Sequence, residues 1–255
     1  MTFIIIFLAL VIERYFHWQH LRQWRWFNYY NHWLVKAFGY LPAKLRLAGT
    51  VLIPVFIVGL VELLLGKIGS YLLEMLFGLI ILIYCLGPTN LWVEIYSRKL
   101  EVSADSMSIN KSCAEIFLSA QERIFAILFW FVILGPIGAV LYRLLTLYKH
   151  EVDDVNNLMR ANYYLSLLDW LPARGFVLIL ALVGNFTAVM TVSKRYLTKP
   201  ASFNTALISE GGLAALHLPP STELAESSVI TRIIELLDRV FIMSLVILAV
   251  GVFIL

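Results

Sequence analysis

Residues 168–186 read LDWLPARGFVLILALVGNF, a short polar stretch that runs through Pro-Ala-Arg into a long apolar one. A helix needs about 20 mainly apolar residues to cross a bilayer, because the hydrocarbon core is about 30 Å thick and each residue rises about 1.5 Å. Gly175–Val192 meets that pattern and is expected to span. Arg174 at its edge admits two readings. With Trp170 beside it and Pro172 near the first helical turn, it is an interfacial anchor. Alternatively it lines a pocket, since the positive end of a helix does not favour a cation and Asp169, five residues earlier, is placed to compensate it.

The same apolar character recurs on both sides of this stretch. The chain of 255 residues is 60% hydrophobic and 15% charged, against roughly 45–50% and 25% in a soluble domain. Leu47–Gly66, Tyr71–Trp92, Ile124–Tyr148 and Val240–Leu255 are further spans, and Thr2–Ile12 is a tilted sixth, followed by interfacial Glu13, Arg14 and Trp18. The fold class is therefore all-α: a polytopic integral membrane protein of five to six membrane helices plus interfacial amphipathic helices, in one domain over residues 1–255. The N-terminal apolar run lacks a preceding basic region and a following small-residue cleavage site, so it is expected to be retained.

Basic residues favour cytoplasmic loops. With the N-terminus outside, fifteen of the 20 Lys and Arg fall inside, including Lys194, Arg195 and Lys199. This threading places residues 149–174 outside and 193–238 inside, which would keep Arg174 and Glu210 on opposite faces. A re-entrant Gly-Pro span, or a first segment that does not cross, would change it. The net charge of +3 is spread between apolar segments and forms no basic face, which sets nucleic acid aside as a partner.

Between the spans, Val229, Ile230, Ile233, Leu236, Leu237 and Val240 recur at helical steps, with a cap region at 222–225. Leu158, Tyr164, Leu165 and Leu168 form a second apolar face that is expected to end at Pro172. Such helices lie on the membrane, pack on the bundle or dock a cytosolic partner. Residues 13–46 read as an aromatic interfacial collar with a turn at GYLP, 39–42.

Charged groups inside spans each cost about 2.5–3.5 kcal/mol on insertion scales and need a partner or water. Glu62 and Glu74 flank the GKIGS turn, where they reach headgroups or Lys67. Arg143, inside GAVLYRLLTLY, either snorkels or forms a buried ion pair. Gly135-Pro136 in mid-span predicts a kink. YKHEVDD (148–154) gathers His150, Glu151, Asp153 and Asp154, and HWQH (17–20) places His17 and His20 one turn apart. Solvation and an aromatic interface explain them more simply than a metal does. Cys85 and Cys113 lack ligand spacing and read as free thiols. No metal and no cofactor is expected.

LFWFVILGPIGAVLYRLL (128–145), LDWLPARGFVLILALVGNF (168–186) and LALVIERYF (8–16) resemble the AmpE family of bacterial inner-membrane proteins. The resemblance implies a multi-pass inner-membrane modulator of β-lactamase induction and cell-wall stress signalling. It also implies a functional link to the AmpD amidase and, as ligand, a muropeptide or a nucleotide. LPAR (171–174) and NTALISEGGLAALHL (204–218) are more distantly similar to the CbiB/CobD proteins, membrane-embedded transferases or ligases that join an aminopropanol arm to adenosylcobyric acid with ATP. That similarity carries over Arg174, Ser209 and Glu210 as pocket residues. YKHE (148–151) occurs in both. The chain departs from the enzyme pattern at FLSAQERIFAI (117–127), where Glu122 alone stands near an expected Asp, and at RLLTLYKHE (143–151), which replaces a polar Asn-Thr-Leu-Asp motif. The reading therefore leans away from an enzyme. The candidate pocket comprises Glu122, Arg143, His150, Glu151, Asp169, Arg174, Ser209 and Glu210.

Overall fold

The computed structural model describes residues 2–15, 24–37, 40, 42–87, 91, 92, 95, 106–151, 155–216 and 226–254, and every regular element among them is helical. Three helical stretches are long and apolar enough to cross a membrane, Lys44–Ile68, Asn110–Glu151 and Val155–Val183, while Tyr71–Cys85 is apolar but shorter. Contacts gather the chain into two compact units, Met1–Pro88 with Ile127–Leu168 and Thr89–Ala126 with Asp169–Leu255.

The first unit begins with α1 (Thr2–Tyr15), which packs on α4 (Tyr71–Cys85). The two approach closely at Gly78, where a Cβ would lie 3.3 Å from Ile5 Cδ1. Between them, α2 (Arg25–Ala37) and α3 (Ala43–Ile68) pack together. The expected aromatic collar is thus partly a helix that docks through its rings. Trp26 Nε1 donates to Tyr84 Oη at 2.8 Å, Trp24 Nε1 donates to the Tyr84 carbonyl at 3.3 Å, and Tyr30 Oη donates to the Gly49 carbonyl at 3.1 Å. Amphipathic rings suit this position because one end is apolar and the other needs a polar partner. His17, His20, Gly39 and Leu41 lie outside the described residues.

On α3, Leu52, Phe56, Ile57, Leu63 and Leu64 are all more than half exposed. A helix whose outward face is this apolar is suited to lipid rather than water. It ends at Gly69, whose φ of +70° is the left-handed conformation that glycine adopts at a helix end without steric cost. Glu62 and Glu74 are both half-buried. Glu62 Oε1 lies 3.3 Å from where a Cβ on Gly135 would stand, and Glu74 Oε1 lies 3.4 Å from the same point on Gly66.

The kink expected at Gly135-Pro136 is a full break. In α6 (Ala126–Glu151) Gly135 has φ 65° and ψ −153°, a combination essentially restricted to glycine. A Cβ on Gly138 would strike the carbonyl oxygen of Trp130, eight residues back. Eight residues of continuous helix would separate these positions by about 12 Å, so the two halves of α6 fold toward each other at Gly135.

In the second unit, α5 (Ser106–Ala120) passes through a π-helical turn, Gln121–Phe125, into α6. Asp169–Val183 of α7 (Val155–Val183), α8 (Phe186–Ser193), α9 (Asn204–Leu216) and α10 (Glu226–Ile254) complete it. The single span expected over Gly175–Val192 does not form. The helix stops at Val183, Gly184 and Asn185 turn the chain, and the Asn185 side chain accepts from Ala188 N at 3.1 Å to cap α8. Nor does Pro172 end the preceding helix, because α7 runs through it. Tyr164, assigned to the apolar face, is exposed, whereas Leu165 is buried.

Packing around α9 follows from its glycines. A Cβ on Gly212 would collide with the Phe117 ring, and one on Gly211 would sit 3.1 Å from Val177 Cγ1. Along α10, Val229, Ile230, Ile233, Leu236, Leu237 and Val240 are all buried, as their spacing predicts. The cap expected at 222–225 lies outside the described residues.

Candidate functional site

The turn at Gly184 decides which polar groups of the second unit meet. Because α8 returns antiparallel to the end of α7, residues 194–200 come back to the level of Arg174. Its guanidinium carries five N–H donors, and all five find acceptors. Nε donates to the Leu197 carbonyl at 2.7 Å, and Nη1 to the Trp170 carbonyl at 2.7 Å and to Asn204 Oδ1 at 3.1 Å. Nη2 donates to the carbonyls of Tyr196 at 3.3 Å and Lys199 at 2.7 Å. The indole of Trp170 lies 4.0 Å from Arg174 Cζ, and its Nε1 donates to the Lys199 carbonyl at 3.2 Å. Arg174 is buried, in the middle of a helix and not at its positive end. It is neither a snorkelling anchor nor an open pocket group. It is a clamp on the 194–200 turn.

Arg174 and Glu210, which the positive-inside threading keeps apart, are joined through one residue. Tyr196 offers its carbonyl to Arg174, and its hydroxyl donates to Glu210 Oε1 at 2.6 Å. That hydrogen bond, together with burial and the Glu210 charge, holds the Tyr196 phenol above its ordinary pKa, and Arg195 opposes the shift. Ser209 precedes Glu210 on α9 and is half-buried. On α7, Asp169 accepts from Gln121 Nε2 at 3.0 Å. Gln121 belongs to the π-turn, and Glu122 beside it is half-buried. A π-turn inserts one residue into a helix and often marks a functional position. Here its Phe125 ring packs 5.2 Å from Phe176, two residues past Arg174.

The remaining candidates belong to the first unit. Arg143 is buried, with Nη2 3.0 Å from where a Cβ on Gly87 would be, at a φ of +102°. Snorkelling is thereby excluded for it. His150 and Glu151 end α6, exposed and half-buried respectively. Asp153 and Asp154 lie outside the described residues. Among the described residues no three His, Cys, Asp or Glu side chains gather as a metal ion requires. Cys85 and Cys113 are free and buried.

A separate cavity of about 140 Å³ lies at the Gly184 turn, where Arg232, Glu235 and Arg239 of α10 face Ala215 and Leu216 of α9. Glu235 and Arg239 pair at 3.9 Å on the surface, which contributes at most about 1 kcal/mol. Tyr196, Lys199 and Asn204 were not among the expected site residues. The one signal for them is the basic-aromatic run KRYLTK (194–199), followed by an Asn at a helix start.

The fold and site define an all-helical protein with three helices long and apolar enough to cross a membrane and a buried arginine clamp. No family model matches the chain, and neither a curated protein nor a solved structure is similar enough to count as a match.

Proposed function

We propose that this chain is a multi-pass inner-membrane modulator of β-lactamase induction and the cell-wall stress response, with five to six membrane helices. It acts by binding a ligand or partner, a muropeptide being the first ligand to test, and not by catalysis. The family likeness of the Gly-Pro and Leu-Pro-Ala-Arg segments motivates the pathway. The observation that carries the mechanism is the saturation of Arg174: all five of its donors are spent on the protein's own acceptors. An arginine so used has none left for a substrate phosphate, which a nucleotide-dependent ligase must grip. Deletion in a bacterium with the full induction pathway, including the AmpD amidase, should shift the curve of β-lactamase activity against inducer concentration. A curve that coincides with the parent's removes the proposal.

One observation favours a second reading, a transferase or ligase of the cobalamin-synthase kind. Tyr196 hydrogen-bonds to both Arg174 and Glu210, the first through its carbonyl and the second through its hydroxyl. This reading expects the purified protein to gain thermal stability from Mg²⁺-nucleotide or corrinoid, and to lose that gain in Glu122→Ala or Glu210→Ala.

A further inference from the structure

Arg174 draws the backbone carbonyls of Tyr196, Leu197 and Lys199 inward. The side chains of Tyr196 and Leu197 are half-buried in this turn, whereas its basic ones are not. Lys194, Arg195 and Lys199 are all exposed. Two aromatic rings, Trp170 and Phe203, each 37% exposed, frame them. Lys199 Nζ stands 4.7 Å from the Phe203 ring centroid and 5.8 Å from that of Tyr196, and these two rings stack at 6.1 Å. No Asp or Glu occurs anywhere from Asn185 to Ile208. The turn is thus pinned by Arg174, cationic along the chain with the half-buried Glu210 carboxylate against Tyr196, and edged by the Trp170 and Phe203 rings.

We infer that the 194–203 turn is a docking surface for the anionic phospholipid headgroups of one membrane leaflet. Three exposed cations within one six-residue turn suit phosphodiesters, and partly exposed Trp and Phe rings suit the boundary between headgroups and acyl chains. Pinning by Arg174 strengthens the match, because the turn loses little freedom on binding. Each exposed cation near an anionic surface contributes about fivefold to lipid partition, so the three together give about a hundredfold preference before screening by salt.

The inference rests on the membrane part of the proposed function and is independent of the β-lactamase pathway. Its test uses the full chain in liposomes doped with brominated phosphatidylglycerol or brominated phosphatidylcholine at equal mole fraction. Trp170 emission is isolated as the difference between the parent and Trp170→Phe. The anionic brominated lipid should quench Trp170 several-fold more strongly than the zwitterionic one. The preference should shrink with added salt, and should vanish in Lys194→Ala/Arg195→Ala/Lys199→Ala while the chain remains inserted. Equal quenching of the Trp170 component by the two lipids overturns the inference, and this readout needs only Trp170→Phe, which keeps an aromatic ring, to fold. A preference that persists in the triple variant, or one that millimolar inorganic phosphate abolishes at constant ionic strength, overturns it too, the last by assigning the turn to a soluble anion. A deletion that leaves β-lactamase induction unchanged, with the lipid preference intact, would remove the pathway and leave this surface standing.

Discussion

Arg174 Nε reaches the Leu197 carbonyl at 2.7 Å across a turn that the apolar sequence conceals. Removing this side chain leaves five neutral acceptors to find other partners, and each one left buried and unsatisfied costs about 1–3 kcal/mol. Arg174→Ala should therefore lower the unfolding midpoint in detergent by well over the effect of a surface substitution. Arg174→Lys, with a single ammonium in place of a planar fork, should recover only part of it. Fluorescence-detected gel filtration after a temperature series reads both. An Ala variant as stable as the parent would deny the clamp.

Gly135 sits where a side chain is strained, at φ 65° and ψ −153°. Gly135→Ala should destabilise the first unit by about 1–3 kcal/mol. Gly138→Ala should do at least as much, because its Cβ would meet the Trp130 carbonyl. Thermal melts followed by circular dichroism would measure the pair, and unchanged melting in both would mean that α6 is a straight helix.

The turn at Gly184 makes a topological prediction. A single span over Gly175–Val192 would put residues 170 and 198 on opposite faces of the membrane, whereas the observed return puts them together. In a background lacking the buried Cys85 and Cys113, Trp170→Cys and Thr198→Cys should both react with an impermeant maleimide added to the same side. Labelling from opposite sides would restore the single span.

Tyr196 should titrate above the usual value of about 10, because its hydroxyl donates to Glu210. A raised folded pKa means that the folded state holds the proton more tightly than the unfolded one. The contribution to stability is therefore full below about pH 10 and is lost as pH rises through the folded pKa. Difference absorbance at 295 nm between the parent and Tyr196→Phe should show the late phenol. In Glu210→Gln the same phenol should ionise at lower pH, and an unchanged titration there would disconnect the two residues.

Much of the helical layout was legible because it depends on local pattern. The α10 face from Val229 to Val240 repeats at helical steps and is buried as those steps require. Gly135-Pro136 announced its break through backbone chemistry alone. Pro172 misled, since the rest of α7 continues on both sides of it and one missing N–H does not outweigh that helix. Gly184-Asn185 was hidden inside an apolar run, where hydropathy cannot distinguish a helix that crosses from two short ones that turn back. The acceptors of Arg174 were illegible for a different reason: four of the five are main-chain carbonyls, which carry no residue identity.

The clamp also sets a schedule for biosynthesis. Leu197, Lys199 and Asn204 follow Arg174 by 23, 25 and 30 residues. At about 5–20 residues per second, the guanidinium leaves the ribosome roughly 1.5–6 s before its last ligand emerges. During that interval the nascent helix carries an unquenched cation, so its final seating must await the segment synthesised after the turn.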